Sequence, residues 1–301
     1  MSAELPRLPA RPVDGHKGTF GTVCVLGGQA GGPRIMIGGP ALSALAALRA
    51  GAGLAVLAVP APLMQAALTI APSATGLSLP TDERGNLRPT AVAELLDEHL
   101  EHLDCLAVGP GLGADAQQQQ IMARLIGREH PPIVIDADAI NALAGLEGFD
   151  RDLRAATVFT PHPGEYGRLA RSLEIDADPV DPQQRPAAAE TLAQRIGCIV
   201  VLKGAGTVVS DGIRTWTNTT GNPALATAGT GDVLTGVIAG LVAQYASRPD
   251  GPLSLYDCAR IGVHAHGLAA DRWRDANSRT ESGMLAADLL GELPGALAGL
   301  R

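Results

Sequence analysis

The sequence predicts an α/β fold with a mostly parallel central sheet and helices on both of its faces. Short β-branched, apolar runs alternate along the chain with longer Ala- and Leu-rich stretches, an order typical of parallel strands joined by crossover helices. The 37 glycines and 22 prolines lie between these segments rather than in one tract, as expected where many strand–helix turns are needed.

Eight strands are predicted from the short apolar runs, and the last two form a hairpin around Asp211-Gly212. In chain order these strands cover residues 22–26, 54–59, 105–108, 133–136, 158–160, 199–202, 207–210 and 214–218.

Eight helices are predicted from the longer Ala- and Leu-rich stretches. They cover residues 40–50, 90–100, 116–128, 164–173, 185–196, 230–243, 255–271 and 286–293. The polar segment 176–186 is interpreted as a surface loop, because the strand pattern resumes after it. Residues 1–301 are therefore expected to form one domain.

The composition argues against several kinds of partner. With a net charge of −8, the chain is not expected to bind nucleic acid or an anionic membrane surface. No uninterrupted apolar stretch approaches the ~18 residues of a membrane span, and the N-terminus has no apolar signal region. Cys24, Cys105 and Cys198 lie in apolar runs without a CxxC pair, which predicts reduced core residues in a cytoplasmic protein.

Five polar segments each follow a predicted strand: VLGGQAGG, VGPGLG, DADAIN, TPHPGE and KGAGT. In parallel sheets, ligands bind at the carboxyl ends of the strands. These segments therefore predict one large site at one edge of the sheet.

An apolar helix begins with Gly229-Thr230-Gly231-Asp232. Glycines let backbone N–H groups face a ligand, and a helix N-terminus favours negative charge, so the segment predicts an anion site. An anion would repel Asp232 unless that carboxylate has a chemical role. In phosphoryl transfer a base accepts the proton of the attacking hydroxyl, and Asp232 is predicted to be that base.

Lys203-Gly204-Ala205-Gly206-Thr207 places a cation and two glycines directly after a buried strand. This arrangement suits a polyphosphate, although a solvated lysine in an ordinary turn has the same pattern. Residues 109–114 fit the G-x-G-x-x-A pattern of a dinucleotide site, and a tight strand-to-helix turn explains them equally well.

Further polar residues follow two apolar strands. Asp138 and Asn141 are predicted to orient a ligand hydroxyl or a hydrated Mg²⁺, whereas Asp136 fits a helix N-cap and a functional role equally. His162 lies between two prolines that fix its backbone, which favours a functional role. Glu165 either caps the next helix or binds a metal through water.

Together these motifs resemble those of the ADP/ATP-dependent NAD(P)H-hydrate dehydratases, which have a ribokinase-like fold. The resemblance covers about residues 12–272. HKGTFG, VGPGLG, DADAIN and VVLKGAGTVV occur in the family's order, and the specific segments are TPHPGE, GNPALATAGTGDVLTGVIAGLVAQ and GVHAHGLAAD.

The resemblance implies a hydro-lyase that converts (S)-NADH-hydrate and NADPH-hydrate back to NADH and NADPH. ADP or ATP, with Mg²⁺, would phosphorylate the ring hydroxyl, and phosphate would then be eliminated; with ADP, which stand-alone members typically use, the products are AMP and phosphate. The implied substrate contacts are Ala41, Gly111, His162 and Asp232, the last also the catalytic base, and the implied nucleotide contacts are Lys203, Gly204, Ala205, Gly206, Thr207 and Gly231.

The resemblance also implies a homo-oligomer. Many members carry an N-terminal epimerase domain, and since only about fifteen residues precede HKGTFG, the NAD(P)H-hydrate epimerase is expected to be a separate protein that acts as functional partner, or to be absent. One segment departs from the family. The loop from Gln29 to Gly39 is longer than usual and brings Pro40 beside Ala41, which is aligned through the LSALAALRAGAGL that follows. This loop is expected to reshape the substrate mouth or to pack against a neighbouring subunit.

Three other functions share part of the pattern. A ribokinase-like kinase of a vitamin precursor would share the nucleotide loop and the base, but would release a stable phosphorylated product and would not need TPHPGE. A non-catalytic nucleotide-binding module would keep KGAGT without a carboxylate in the phosphate site. A Rossmann dehydrogenase would carry its glycine fingerprint in the first βα turn, whereas here it lies in the third.

Overall fold

The computed structural model describes residues 4–248 and 250–301, and these contain a nine-stranded sheet. The strands are β1 (Thr22–Leu26), β2 (Leu54–Pro60), β3 (Thr75–Leu79), β4 (Cys105–Val108), β5 (Ile133–Ile135), β6 (Thr157–Phe159), β7 (Ile199–Leu202), β8 (Val208–Ser210) and β9 (Thr215–Thr217). Their order across the sheet is β3-β2-β1-β4-β5-β6-β7-β8-β9. The strands from β3 to β7 are parallel, and β8 and β9 add an antiparallel hairpin.

Helices cover both faces of this sheet. They are α1 (Gly38–Arg49), α2 (Met64–Ile70), α3 (Pro89–His99), α4 (Ala116–Ile126), α5 (Ala137–Ala144), α6 (Phe149–Asp152), α7 (Pro163–Ser172), α8 (Arg185–Ile196), α9 (Thr230–Tyr245), α10 (Leu255–Ala276) and α11 (Ala286–Ala298). The described residues also form four short 3₁₀ segments, at Lys17–Phe20, Ala61–Leu63, Leu100–His102 and Pro223–Leu225.

Two apolar clusters, one on each face, form the core. Side chains alternate between the faces of a strand. In β1, Val23 and Val25 therefore pack with α1, α2, α9, α10 and α11, while Cys24 and Leu26 pack with the cluster that includes α3, α4, α5, α7 and α8. The predicted fold class, a mostly parallel sheet with helices on both faces, is confirmed.

The predicted elements are all present. The bounds of β1, β4 and β7 are as predicted, and the other predicted strands differ only at their end residues. Helices α10 and α11 continue beyond their predicted ends at 271 and 293. The sequence analysis missed β3, because most of this edge strand is exposed and its sequence TGLSL has only two apolar residues beside a glycine. The eight predicted helices also leave out the short helices α2, α5 and α6, of which only α5 was implied, by the possible N-cap at Asp136.

Two general expectations are also tested by the structure. All four cysteines are buried and unpaired, as predicted for Cys24, Cys105 and Cys198. Within residues 4–248 and 250–301, no helix combines the length and hydropathy needed to cross a membrane.

Helices α1 and α9 approach each other closely because α9 carries glycines on the contact face. A Cβ atom on Gly236 would lie 2.1 Å from the carbonyl oxygen of Ser43, and one on Gly240 would lie 2.7 Å from that of Ala47. Any side chain at these positions would push the two backbones apart. Since α9 begins at Thr230, this packing also fixes where its N-terminus lies relative to α1.

We expect Gly236→Ala to lower the free energy of unfolding by about 1–3 kcal/mol, because overpacking at a backbone contact forces the helices to shift. Denaturant unfolding measures this loss. Gly291→Ala is the control: Gly291 lies in α11 and a Cβ there meets no atom within 4 Å. The control is expected to gain about 0.5–1 kcal/mol from helix propensity. Equal stability of the two variants would contradict the packing argument.

Candidate active site

The five polar segments lie at one edge of the sheet, as predicted. They follow β1, β4, β5, β6 and β7, which are neighbours in that order. The chain crosses from β1 to β2 on one side and reaches β4 on the other, so the strand order reverses between β1 and β4. The first two segments contact each other directly, since the Gly28 N–H donates to the Pro110 carbonyl over 3.0 Å.

A buried ion pair joins three of these segments. Lys203 Nζ lies 2.5 Å from Asp136 Oδ1 and 3.7 Å from Glu165 Oε2. Asp136, only 1% exposed, also accepts hydrogen bonds from the hydroxyls of Thr160 and Thr235, each over 2.7 Å. Both carboxylate oxygens of Asp136 are therefore engaged, and its role as a plain helix N-cap is excluded because no N-cap hydrogen bond forms.

Backbone strain at Ala137 separates the two aspartates of DADAIN. Ala137 has a left-handed φ of +50°, which is unfavourable for a residue with a Cβ. Asp136 turns inward to Lys203, while Asp138 Oδ2 accepts a hydrogen bond from the Gly113 N–H over 2.9 Å. The sharp turn thus sends one carboxylate to the strand ends and the other to the glycine-rich loop after β4.

His162 and Glu165 form a reciprocal cap at the start of α7. His162 Nδ1 accepts hydrogen bonds from the Gly164 and Glu165 N–H groups, while Glu165 Oε2 accepts one from the His162 N–H over 2.7 Å. Burial and the nearby Lys203 lower the pKa of His162, so its imidazole is neutral at neutral pH. Burial raises the pKa of Glu165 to about 6 against the opposing effect of Lys203.

Asp232 lies in the first turn of α9, after Gly229 with its left-handed φ of +92°. Burial, with a further contribution from Asp136, raises the pKa of Asp232 to about 7. In the described parts of the chain its carboxylate accepts no hydrogen bond; its main-chain carbonyl accepts one from Ser43 over 2.7 Å. A carboxyl that exchanges its proton near neutral pH and has both oxygens free is suited to general base catalysis.

A cavity of about 600 Å³ lies beside Asp232. Its lining includes Lys203, Gly204, Ala205, Gly206, Thr207 and Gly231, all six residues predicted to bind the nucleotide. The opposite wall comes from the loop after β9, residues 218–223, and from His266 in α10. This volume lies within the ~300–1,000 Å³ typical of ligand pockets.

The buried His266 supports the N-terminus of α9. Its Nε2 donates to the Thr230 carbonyl over 2.9 Å, and burial lowers the pKa of His266 to about 4, so the ring is neutral. On the other side, the Thr230 hydroxyl donates to the Leu225 and Thr227 carbonyls. The peptide that joins Thr230 to Gly231 is thus fixed from two directions at the edge of the cavity.

The remaining predicted substrate residues are more dispersed. Gly111 packs against Met36, and Asn141 accepts a hydrogen bond from Arg168 over 3.1 Å. Ala41 is completely buried in α1, so its side chain has no surface to offer a ligand. Its neighbour Gly39 faces the site instead: a Cβ on Gly39 would lie 3.1 Å from Asp232 Oδ1.

The loop from Gln29 to Gly39 closes over this side of the site. Gln29 and Met36 exchange backbone hydrogen bonds of 2.9 and 3.0 Å, which makes the loop a small hairpin. Met36 covers Gly111, while Ile35 is 68% exposed. The loop therefore borders the site, and its predicted effect on the substrate mouth stays a prediction.

Sequence reasoning left out several residues of the site. Thr160 and Thr235 complete the shell of Asp136, and Gly39 and His266 support Asp232 and its helix. Thr160 and His266 lie within motifs that the sequence analysis quoted, TPHPGE and GVHAHGLAAD, so a signal was present. Thr235 also lies within a quoted motif, GNPALATAGTGDVLTGVIAGLVAQ, but its position in an apolar helix resembles that of a core threonine.

Comparison with known proteins identifies the family of this chain. A model of the family described as NAD(P)H-hydrate dehydratase matches residues 23–294, almost the whole sheet and every polar segment of the site. The chain belongs to this family. The resemblance seen in the sequence is thereby confirmed.

Two relatives of this chain show how much of the fold is shared. The chain is 40% identical over 296 residues to the bifunctional NAD(P)H-hydrate repair enzyme Nnr of Moorella thermoacetica, covering 96% of this chain and 51% of the relative. It therefore spans about half the length of the curated relatives it matches. The ADP/ATP-dependent NAD(P)H-hydrate dehydratase of Bacillus subtilis, co-crystallised with ATP/Mg²⁺, superposes with a TM-score of 0.76 at 27% identity, covering 100% of both chains.

The predicted ribokinase-like fold of the chain is also confirmed. A ribokinase-like superfamily protein from Enterococcus faecalis superposes with a TM-score of 0.76 at 26% identity, covering 98% of this chain and 93% of the other.

The raised pKa of Asp232 predicts a pH-dependent penalty on folding. Because its folded pKa of about 7 exceeds the ordinary 3.8, ionisation favours the unfolded chain, and stability falls as pH rises between these values. We expect Asp232→Asn to be more stable than the wild type above about pH 7, with the difference shrinking toward about pH 4. Denaturant unfolding across this range measures the difference.

Asp257→Asn is the matched control, since Asp257 also lies in the first turn of its helix, α10. Its carboxylate accepts hydrogen bonds from Ser254 and Arg260. Asp257→Asn is therefore not expected to raise the free energy of unfolding at any pH in this range. A difference between wild type and Asp232→Asn that does not vary with pH would contradict the burial of an ionising carboxyl.

Proposed function

We propose that this chain is a nucleotide-dependent dehydratase that restores NADH and NADPH from their hydrates, with residues 1–301 forming a single dehydratase domain. The observation that carries the proposal is the position of Asp232. This carboxylate lies between a cavity of nucleotide size and the polar strand ends, with a pKa of about 7. The dehydratase of Bacillus subtilis shares the fold over its full length and was crystallised with ATP/Mg²⁺.

The nucleotide belongs in the cavity beside α9. Its phosphates would contact the backbone of the Lys203–Thr207 loop and the free N–H of Gly231 at the helix N-terminus. Gly204 and Gly206, with φ of +149° and +65°, adopt backbone conformations that side chains disfavour, which keeps the loop close to a ligand. ADP and ATP both fit this chemistry, and ADP gives AMP and phosphate.

The hydrated nicotinamide would lie on the other side of Asp232, toward Gly111, His162 and Asp138. Asp232 accepts the proton of the ring hydroxyl while that oxygen bonds to the transferred phosphoryl group. Phosphate then leaves with the C–O bonding electrons, the neighbouring ring carbon gives up a proton to the departing phosphate or to water, and the electrons of that C–H bond form the double bond that restores the dihydronicotinamide. Gly39 and the loop before it form the wall behind the carboxylate and limit the access of water to the reacting centre.

The site suits a magnesium ion held mainly by the nucleotide. Among the described residues, no three His, Cys, Asp or Glu side chains are arranged as metal ligands. Glu165 Oε2 already accepts the His162 N–H and lies near Lys203, so Glu165 fits an ion bound through water rather than directly. Mg²⁺ usually keeps several waters and binds through one or two carboxylates and phosphates, where it neutralises phosphate charge.

Substrates and partners follow from this function. We propose NADH-hydrate and NADPH-hydrate as substrates, a homo-oligomeric state, and cooperation with an NAD(P)H-hydrate epimerase. The bifunctional character of the Moorella thermoacetica relative supports a functional link to a second repair activity. The buried thiols suit the reducing cytoplasm.

The decisive experiment follows dihydronicotinamide absorbance after mixing the protein with hydrated NADH or NADPH, Mg²⁺ and either ADP or ATP. We expect a nucleotide-dependent rise that falls by about 10²–10⁴-fold in Asp232→Asn, which lacks the base. Asp257→Asn, the matched control, should retain wild-type activity.

The products separate the alternatives. A stable phosphorylated product without recovery of absorbance would indicate a kinase, and binding of nucleotide without turnover of any substrate would indicate a non-catalytic module. Folded wild-type protein that consumes no nucleotide with either hydrate would refute the dehydratase proposal.

The pH profile gives an independent test of Asp232 as the base. The free enzyme is active only with Asp232 ionised, so kcat/KM should rise about tenfold per pH unit below its pKa of about 7 and level off above it. Asp136→Asn should move this limb to lower pH, because Asp136 helps to raise the pKa of Asp232 and otherwise occupies Lys203, which lowers it. An unchanged or upward shift would contradict the assignment.

A further inference from the structure

Arg185 is a buried, positively charged residue that has no role in the reaction proposed above. It is the first residue of α8 and only 5% exposed. Its guanidinium donates to three main-chain carbonyls: Pro179 at 2.8 Å, Leu202 at 3.0 Å and Lys203 at 3.2 Å. The last two belong to the end of β7 and the start of the proposed phosphate loop.

No carboxylate of the described residues lies within ion-pair distance of this guanidinium. The acids that precede it in sequence, Asp178 and Asp181, accept hydrogen bonds from Val180, Gln183 and Gln184 in their own loop. Arg185 also lies at the N-terminal end of a helix, where the helix dipole disfavours a cation. A buried arginine normally has an anionic partner, and the described residues supply none at ion-pair distance from Arg185.

The neighbouring cation, Lys203, differs from Arg185 because it has carboxylate partners. Lys203 is paired with Asp136 at 2.5 Å and lies near Glu165, so two carboxylates already balance its charge. Burial alone would lower the pKa of Lys203, but these carboxylates outweigh it and raise that pKa. Asp138 and Asp232 add further negative charge nearby. The attraction that a nucleotide polyphosphate needs is therefore not supplied by Lys203 alone.

Arg185 lies directly behind the loop that faces the cavity. A Cβ on Gly204 would lie 2.9 Å from Arg185 Nη1, so the guanidinium packs directly against the backbone of Gly204. Gly204 itself lines the cavity with Ala205 and Gly206. The guanidinium donates to the carbonyls of residues 202 and 203 but does not itself line the cavity, so the loop residues contact a ligand there and Arg185 supports them.

We propose that Arg185 is a positioning residue for the nucleotide phosphates, which supply the anion that its buried charge lacks. It acts through the loop: it anchors the Leu202 and Lys203 carbonyls and adds a fixed positive charge behind Gly204. The proposal rests on the nucleotide site proposed above and adds to it a cation that does not touch the ligand. Its effect must therefore grow with the number of phosphate charges.

Calorimetric binding of adenosine, AMP and ADP tests this dependence. Arg185→Gln keeps donors for the carbonyls but removes the charge, and Arg185→Lys keeps the charge. We expect Arg185→Gln to weaken ADP by about tenfold or more, AMP less, and adenosine by less than about twofold, because the lost attraction scales with ligand charge. Arg185→Lys should keep ADP within about fivefold of wild type.

Arg195→Gln is the control, since Arg195 lies in the same helix but pairs with Asp150 over 2.5 Å. It should leave the binding of all three ligands unchanged. For Arg185→Gln, the matching kinetic result is a raised KM for the nucleotide at unchanged kcat. If Arg185→Gln does not fold, Arg185→Lys decides: retention of the wild-type preference for ADP over adenosine supports the proposal.

Two results would overturn it. An equal loss of affinity for adenosine, AMP and ADP in either variant would show that Arg185 has only a structural role, and no loss in a folded Arg185→Gln would show that its charge is not used. In both cases wild-type ADP binding leaves the proposed function intact. If the wild type itself binds neither AMP nor ADP, the nucleotide site is wrong and the role of Arg185 falls with it.

Discussion

The ion pair between Asp136 and Lys203 is the interaction on which the rest of the site depends. Asp136 follows β5, Lys203 follows β7, and the threonines that complete the shell of Asp136 come from the end of β6 and from α9. One carboxylate thus joins three strand ends to the helix that carries Asp232. Removal of one partner from a buried pair typically costs about 3–5 kcal/mol, because the other charge is left unpaired.

This pair also sets the electrostatics around it. Because Asp136 occupies Lys203, little positive charge remains for Glu165 and Asp232, and burial raises the pKa of both. Asp232 is consequently less stable as an anion than an exposed aspartate, which is unfavourable for folding and favourable for a base at neutral pH. The same feature that weakens the folded protein makes the carboxylate suitable for proton transfer.

The site also depends on glycines that allow backbone segments to approach each other closely. Gly236 and Gly240 let α9 lie against α1, and this close approach brings Gly39 against the carboxylate of Asp232. Gly204 allows the phosphate loop to pass over the guanidinium of Arg185. In each case a backbone without a Cβ is needed, because the opposing group is itself backbone or a buried charge.

The sequence by itself determined the fold class, eight of the nine strands and the edge of the sheet where the polar segments meet, because hydrophobic periodicity and glycine placement are local signals. It also contained the motifs that identify the family. Only the tertiary structure showed that Asp136 pairs with Lys203, that Thr235 completes its shell, that Ala41 is buried while Gly39 faces Asp232, and that Arg185 lies behind Gly204. The tertiary structure also showed the edge strand β3, which forms by pairing with β2 and has no strand signal in its own sequence. These features depend on residues far apart in the chain, and their partners and burial exist only once the sheet has formed.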